Sequence, residues 1–223
     1  NSPKIYTDSP EGESLILGMF QYIQEEMKEK GWIDLWYQGV FDEPTSDYAT
    51  RYKAVVKLLK KTMPKLRILE ATMTTDLVGE VDAWCPQVHE FQNNKTFFTE
   101  RQNEKDEVWV YTCLVPGGPW INRLVDQERL RPVYVGWAGS HYNLDGFLHW
   151  GLNHHRGKPF TELVVQHGDE KNYLPAGDSH IVYPGETGPW SSQRFEAHRI
   201  GMEDYDLLEL LKSKNPERAK EIT

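Results

Sequence analysis

Short apolar stretches and longer amphipathic stretches alternate along this chain. The apolar stretches are rich in β-branched, aromatic and aliphatic residues, which predicts buried strands. Five of them can be recognised. The predicted strands cover residues 33–41, 66–71, 81–85, 108–114 and 146–150.

The amphipathic stretches predict helices before and between these strands. Ser9 precedes Pro10 and an apolar residue at every fourth position, which predicts a first helix that ends at Gly31. The other predicted helices are one that begins at Thr45 or Ser46 and ends before Pro64, one over 96–105, one over 124–138 and a last one that begins at Ser191 or Ser192. Residues 151–189 are rich in Gly, Pro, Asn and His and predict a long irregular segment.

This alternation predicts an α/β fold with a parallel sheet, because strands that are separated by helices pair as βαβ units. No GxGxxG or GxxxxGK[ST] motif follows any of the predicted strands, so nucleotide binding has no support in the sequence. An internal repeat of the kind found in solenoid proteins is also missing.

Composition restricts the partners more than the fold. The 223 residues carry a formal net charge of -9, which argues against nucleic acids and anionic membranes as partners. Eight Trp and eleven Tyr are many for this length and are typical of proteins that stack on sugars, although large aromatics also fill cores. No stretch approaches the roughly 20 apolar residues that span a membrane. Cys85 and Cys113 are too few for a disulfide framework and leave a single bridge open.

Two adjacent acids, Asp42 and Glu43, stand where the first predicted strand ends. Neighbouring side chains of a strand point to opposite faces, so adjacent acids serve one pocket only where the strand breaks into a loop. Pro44 follows directly and predicts an extended conformation at Glu43. Chemistry in α/β proteins is usually placed at the carboxyl ends of the strands. The pair is therefore the candidate catalytic centre, and the alternative is a solvated loop acid beside an acid at a helix start.

Several segments together resemble one enzyme family. In chain order they are VDAWCP (81–86), VWVYTC (108–113), GFLHWGLN (146–153), LPAGDSHIVYPG (174–185), GPWSSQRFEA (188–197) and GMEDY (201–205). With Asp42, Glu43 and Pro44 at the end of a strand, this ordered set resembles the catalytic region of glycoside hydrolase family 123. The resemblance extends over nearly the whole chain from about Trp32 onward.

The resemblance implies a (β/α)8 barrel of the TIM type, in which the acting Asp-Glu pair ends the fourth strand. The five predicted strands would then be strands four to eight, and strands one to three have no counterpart. Five strands cannot close such a barrel, so residues 1–223 resemble the C-terminal portion of the barrel domain. A start at Asn1 without an initiator Met or signal peptide fits the interior of a longer chain. This predicts contact with an upstream barrel segment or self-association.

The family cleaves β-linked N-acetylgalactosamine, and the resemblance implies a retaining, substrate-assisted mechanism. The acetamido carbonyl of the sugar attacks its own anomeric carbon, so that no nucleophile from the enzyme is needed. Glu43 would be the general acid and then the general base, and Asp42 would orient the acetamido N–H. The implied partner is a glycan or glycoconjugate, without a cofactor. A metal is not expected, because the adjacent His154 and His155 lack the HExxH spacing.

Six further residues are predicted substrate contacts, and packing in the core is the alternative for each. Trp84, Tyr111, Trp150 and Asn153 lie at or near strand ends, and Trp137 and His141 lie in a loop-like segment. The tripeptide 178–180, Asp-Ser-His, looks like a catalytic cluster. A nucleophilic serine needs a base that is placed in space and not next to it in sequence, so we interpret the tripeptide as loop structure.

Two other functions are left open by the residues. In the first, the protein is a conventional retaining glycosidase with Glu43 as acid/base and Glu70, at the end of the next predicted strand, as nucleophile. In the second, the protein is a non-catalytic carbohydrate-binding barrel, in which the aromatic residues bind sugar and the acids have no chemical role.

Overall fold

The computed structural model describes residues 6, 9–155, 157–166 and 173–223. Two compact units divide the chain. The first comprises Asn1–Pro86 and Thr96–Glu107, and the second comprises residues 87–95 and 108–223. Both units alternate helices with strands, which confirms the α/β class. The predicted chain start at Asn1 lies outside the described residues.

The predicted helices and strands occur in the predicted order with differences in length, and the structure adds helices α3 and α7 and the short strands β6 to β9, which the sequence does not predict. The helices are α1 (Pro10–Glu29), α2 (Ala49–Thr62), α3 (Val88–Asn93), α4 (Lys95–Asn103), α5 (Tyr134–Tyr142), α6 (Gln193–Lys214) and α7 (Pro216–Ile222). The strands are β1 (Tyr37–Gln38), β2 (Arg67–Ala71), β3 (Ala83–Cys85), β4 (Glu107–Thr112), β5 (Gly146–His149), β6 (Val165–Gln166), β7 (Tyr173–Leu174), β8 (Tyr183–Pro184) and β9 (Pro189–Trp190). Short 3-10 helices cover Ile33–Leu35 and Ser46–Tyr48. Within the described residues, no helix combines the length and the apolar character that crossing a membrane requires.

In the first unit, β1, β2 and β3 lie side by side and run parallel. Side chains of β2 alternate between half-buried and buried, as expected for a strand with one face on a core. Helix α2 buries Tyr52, Val56 and Leu59 on its apolar face and packs against α1. The unit therefore contains three parallel strands and a pair of packed helices, and the carboxyl end of β1 leads to the acidic pair.

In the second unit, β4 and β5 run parallel, with Trp109 opposite Gly146 and Thr112 opposite His149. Two small antiparallel ribbons, β6 with β7 and β8 with β9, lie within the long segment that the sequence predicts to be irregular. Helix α6 packs against both α5 and α7. Cys85 and Cys113 are not joined by a disulfide.

The predicted helix starts are confirmed where a capping side chain marks them. The Ser9 hydroxyl accepts a hydrogen bond from the Gly12 amide at 3.1 Å, and α1 begins at Pro10. Gly31 follows the end of α1 with a φ of 68°, a conformation that glycine adopts without strain. The Ser192 hydroxyl accepts from the Phe195 amide at 3.2 Å and caps α6. Short-range signals therefore locate these ends.

Two predicted elements are wrong in their extent. The strand predicted over 33–41 is reduced to Tyr37–Gln38, because the next amides that point toward β2 bind a side chain and do not continue the ladder. The helix predicted over 124–138 begins only at Tyr134. Pro132 has no N–H to donate and disfavours the helical conformation in the residue before it, so the helix forms after it.

Helices α5 and α6 approach each other closely at a pair of glycines. A Cβ added to Gly136 would lie 1.7 Å from the carbonyl oxygen of Gly201, whereas nothing lies within 4 Å of a Cβ on Gly18 in α1. We expect Gly136→Ala to lower the free energy of unfolding by about 1–3 kcal/mol, as overpacking does. The matched change Gly18→Ala should raise it by roughly 0.5–1 kcal/mol, since alanine is the better helix former. Urea denaturation of both variants checks this, and a fully stable Gly136→Ala protein would contradict the close helix approach.

Candidate active site

Asp42 and Glu43 lie in the loop between β1 and the 3-10 helix Ser46–Tyr48, and both are exposed. Glu43 has a φ of 47°, in the left-handed region that residues with a side chain seldom adopt. The prediction of an extended Glu43 is therefore wrong. Positive φ at a residue other than glycine concentrates at functional sites. It also removes the alternation of a regular strand at this point, so the two neighbouring carboxylates need not face opposite ways.

Glu70, near the end of β2, holds the peptide that leads into this loop. One of its carboxylate oxygens accepts hydrogen bonds from the backbone amides of Val40, at 3.0 Å, and Phe41, at 3.2 Å. Glu70 is only 2% exposed. Burial raises the pKa of Glu70 above its ordinary value, and the two amides act in the opposite direction. An acid that is buried and bound in this way is poorly placed to attack a sugar, so its role is to fix the loop.

Two threonines after β2 continue this support. The Thr72 hydroxyl donates a hydrogen bond to the carbonyl oxygen of Pro44 at 2.9 Å, directly after the acidic pair. The Thr74 hydroxyl lies 2.9 Å from the hydroxyl of Ser46. Both threonines are buried. Glu70, Thr72 and Thr74, at alternate positions, therefore hold the loop before and after Asp42 and Glu43, and such support is what precise catalytic geometry requires.

Two of the predicted substrate contacts are buried in their own units. Trp84 has no exposed surface, donates its indole N–H to Asp106 at 3.0 Å and packs edge-on against Phe97. This position corrects the prediction, because Trp84 has no surface to offer a sugar. Tyr111 in β4 is 3% exposed, and its hydroxyl accepts a hydrogen bond from the Gln87 amide group at 3.0 Å. Core packing describes both residues better than ligand contact.

Trp137 and His141 lie on helix α5 and not in a loop-like segment, and for Trp137 this agrees with the helix predicted over 124–138. The Trp137 indole N–H donates to the Asp204 carboxylate of α6 at 2.9 Å, so this side chain ties two helices together. His141 is exposed, with its ring edge-on to Tyr142 at 4.5 Å between centroids. Neither side chain belongs to the carboxyl end of a strand, where chemistry is expected.

Trp150 and Asn153 follow the end of β5 and are both exposed. The Trp150 indole N–H donates to a carboxylate oxygen of Asp178 at 3.1 Å. Asn153 pairs with His180 in an isolated antiparallel bridge. The structure thus brings these two predicted contacts together with the segment that contains the tripeptide 178–180.

The tripeptide 178–180 is irregular in structure, as interpreted from the sequence, but it is also buried. Asp178, Ser179 and His180 are each at most 1% exposed, and the Ser179 hydroxyl lies 2.9 Å from His180 Nδ1. A serine without access to solvent cannot meet a glycan. Asp178 is instead part of a buried polar group with His149 and Arg123, two residues that sequence reasoning missed. In the sequence, the only indication of their role is that each is a charged or polar residue at or after the end of a predicted strand.

Across the described part of the chain, no three His, Cys, Asp or Glu side chains converge in the manner of metal ligands. The adjacent His154 and His155 have separate neighbours. The His154 ring lies against Trp150, and the His155 ring nitrogen is 2.8 Å from the carbonyl oxygen of Val182.

The parallel α/β fold with an exposed acidic pair after a strand is compatible with a domain of the glycoside hydrolase type. The family model "Glycoside hydrolase 123, catalytic domain" matches residues 2–211, and the chain belongs to this family. The family resemblance seen in the sequence is thereby confirmed. Comparison with curated proteins gives no match.

A solved structure is similar to most of this chain. It is reported under the description "The details of glycolipid glycan hydrolysis by the structural analysis of a family 123 glycoside hydrolase from Clostridium perfringens". The similarity has a TM-score of 0.75 at 20% sequence identity and covers 96% of this chain and 38% of that chain. At this identity the similarity shows a shared fold, and the chain spans little more than a third of that enzyme's length.

Proposed function

We propose that the chain is the C-terminal portion of the catalytic domain of a retaining β-N-acetylgalactosaminidase that works by substrate assistance. The observation that carries the proposal is the pair Asp42 and Glu43, exposed in a supported turn after β1, in a chain of family 123. The five parallel-type strands β1 to β5 would be strands four to eight of a (β/α)8 barrel. The neighbouring enzyme from Clostridium perfringens, described for glycolipid glycan hydrolysis, supports a glycoconjugate as the substrate class.

In the first step, the acetamido carbonyl oxygen of the bound sugar attacks the anomeric carbon of the same sugar. The bond from that carbon to the leaving oxygen breaks, and Glu43 gives its proton to the leaving oxygen. The product is an oxazolinium ion, whose positive charge and N–H are stabilised by the Asp42 carboxylate. In the second step, the Glu43 carboxylate takes a proton from water, and the water oxygen attacks the anomeric carbon and reopens the ring. Two inversions at one carbon give overall retention.

The adjacency of the two acids supports this mechanism over the usual two-carboxylate scheme. Neighbouring residues cannot flank an anomeric carbon from opposite sides in the way that a separate acid and nucleophile do. Glu70, the nucleophile of the conventional alternative, is buried and occupied by the amides of Val40 and Phe41. The substrate must therefore supply its own nucleophile. Trp150 and Asn153, which are exposed after β5, are proposed glycan contacts.

The proposal is tested by comparing aryl glycosides with one leaving group and different groups at C2. We expect the full-length protein to cleave the 2-acetamido-β-galactoside at least about 10³-fold faster, by kcat/KM, than the 2-hydroxy compound, because an internal nucleophile has a high effective concentration. Replacing acetamido by trifluoroacetamido should lower kcat, since fluorine withdraws electrons from the attacking oxygen. Equal cleavage of both glycosides would favour the conventional glycosidase. Binding of N-acetylgalactosamine without turnover of any glycoside would favour the carbohydrate-binding barrel.

A further inference from the structure

We propose that Asp178 is a positioning residue, which sets the orientation of the Trp150 indole so that its ring forms a platform for the apolar face of a sugar. This inference rests on the proposed function, which makes Trp150 a glycan contact. It concerns the second unit alone and is carried by the buried group of Arg123, His149 and Asp178 behind that indole.

The exposed part of Trp150 is apolar. Trp150 is 44% exposed although it follows directly on β5, and the single polar atom of its side chain, Nε1, donates to Asp178 at 3.1 Å. The ring of Trp150 lies near those of His149, at 6.4 Å with a 23° interplanar angle, and His154, at 5.3 Å. Because the indole N–H is hydrogen-bonded to Asp178, the surface that the indole ring offers to a ligand is formed by ring carbons. Such an apolar ring surface can stack on the C–H face of a pyranose.

Asp178 has no exposed surface, so its carboxylate loses its hydration when the protein folds. A buried carboxylate is tolerated only where it is paired and hydrogen-bonded. One of its oxygens accepts the Trp150 N–H, and the other lies 3.3 Å from His149 Nε2. Replacing buried ionic groups with apolar residues of similar size is often neutral or stabilising, so a role in fixing one orientation explains their presence better than stability does.

The direction of the hydrogen bonds in this group is fixed by Arg123. Its Nη2 lies 2.7 Å from His149 Nδ1, and a guanidinium has donors only, so Nδ1 is the acceptor. Burial lowers the pKa of His149 to about 4, in spite of the nearby Asp178, and the ring is neutral at neutral pH. A neutral imidazole that accepts at Nδ1 carries its proton at Nε2, which faces Asp178. The proton on His149 Nε2 therefore lies on the side of the Asp178 carboxylate, at an N–O distance of 3.3 Å, and the Trp150 indole N–H is the hydrogen bond that this carboxylate accepts.

Arg194, in the first turn of α6, secures the backbone around this group. Its guanidinium donates to the carbonyl oxygens of Arg123 at 2.9 Å, of Gly177 at 2.6 Å and of His180 at 2.7 Å. These carbonyls lie at Arg123 itself and on both sides of Asp178. The position of the carboxylate is thus set by a helix and two loops. The hydrogen bond from the indole to this carboxylate then fixes the orientation of the indole.

The test compares two indole–carboxylate pairs of the same unit. Asp178→Asn keeps the shape but presents one acceptor and one donor to two donors, so one of the contacts with His149 or Trp150 is lost. Asp204→Asn makes the same chemical change at the Trp137 pair, which the proposal does not use. We expect Asp178→Asn in the full-length protein to raise KM for a 2-acetamido-β-galactoside about 3- to 10-fold with a smaller change in kcat. Asp204→Asn should stay within about twofold of the parent in KM, because Trp137 is not a glycan contact in the proposed function.

A second variant keeps the Asp178 carboxylate in place. Trp150→Phe removes the N–H that Asp178 holds together with part of the ring surface, so it should raise KM at least as much as Asp178→Asn does. The double variant Asp178→Asn/Trp150→Phe should be no worse than Trp150→Phe alone, because without the indole N–H, residue 178 has no Trp150 side chain left to position. The change in tryptophan fluorescence on adding N-acetylgalactosamine should shrink in Asp178→Asn and persist in Asp204→Asn.

The proposal is overturned if Trp150→Phe binds N-acetylgalactosamine as the parent does, or if the two single effects on KM add in the double variant. Failure of the proposed function appears differently, as an absence of turnover of 2-acetamido glycosides by the parent protein itself. Binding of N-acetylgalactosamine is measured without turnover, so the two failures are separable.

Discussion

Glu43→Gln in the full-length protein is expected to lower kcat/KM for a glycan substrate by about 10²- to 10⁴-fold, the usual contribution of a general acid. The glutamine side chain keeps the size of glutamate but has no proton to give to the leaving oxygen. Glu43 is exposed in the loop after β1, so the change should leave the free energy of unfolding within about 0.5 kcal/mol of the parent. A loss of activity at unchanged stability is then a chemical effect.

The size of the loss should depend on the leaving group. A dinitrophenolate departs with little protonation, so the first step should be nearly as fast in Glu43→Gln as in the parent for that aryl glycoside. The second step still lacks its base, and the oxazolinium intermediate accumulates. Azide needs no base, and its attack on the anomeric carbon should restore turnover and give a glycosyl azide of β configuration. Rates that fall equally for alkyl and dinitrophenyl glycosides, with no effect of azide, would remove Glu43 from the acid/base role.

The parts of the fold that the sequence predicts well are those set by neighbouring residues. The starts of α1 and α6 follow from hydroxyl caps three residues before the amide that they bind, at Ser9 and Ser192. The cores of the five parallel-type strands follow from runs of β-branched and aromatic residues. These interactions are local, so a short sequence motif is enough to predict them.

The conformation of Glu43 is not predicted by its neighbours in sequence. Proline at the next position favours an extended residue, yet Glu43 has a φ of 47°. The loop is instead shaped by Glu70, whose carboxylate binds amides 29 and 30 residues away in sequence, and by Thr72 at the carbonyl of Pro44. No spacing rule connects those positions. The sequence locates the acidic pair, but the contacts that hold it come from the packing of β2 beside β1.

The group behind Trp150 escaped prediction for the same reason. Asp178 binds an indole 28 residues away, and Arg123 binds a histidine 26 residues away. The sequence marks Trp150 as an aromatic residue at a strand end and Asp178 as part of a polar tripeptide, without a link between them. Trp84 illustrates the converse, since an aromatic residue at a strand end is equally suited to a core, and only its burial separates the two roles.

Asp42→Asn is expected to slow every 2-acetamido substrate by about 10²-fold or more, whatever the leaving group, because it removes a charge that stabilises the oxazolinium ion in both steps. This uniform loss differs from that of Glu43→Gln, which varies with the leaving group. The matched control is Asp47→Asn, which removes one negative charge from the exposed 3-10 helix that follows the same loop. We expect Asp47→Asn to stay within about threefold of the parent, since Asp47 is exposed and the field of a surface charge is screened by salt.

A thiazoline analogue of N-acetylgalactosamine separates the role of Asp42 in stabilising the intermediate from a general effect on folding. The analogue resembles the bicyclic intermediate, so Asp42→Asn should weaken its binding by about the factor by which kcat/KM falls, as differential binding of the transition state requires. Asp47→Asn should bind the analogue as the parent does. If Asp42→Asn cleaves 2-acetamido glycosides within about threefold of the parent rate, the assisted mechanism is wrong. The loss of a contact that stabilises developing charge should lower kcat by about 10²-fold. The conventional mechanism would then require a nucleophile other than Glu70, since that carboxylate is buried and holds the loop on which Asp42 lies.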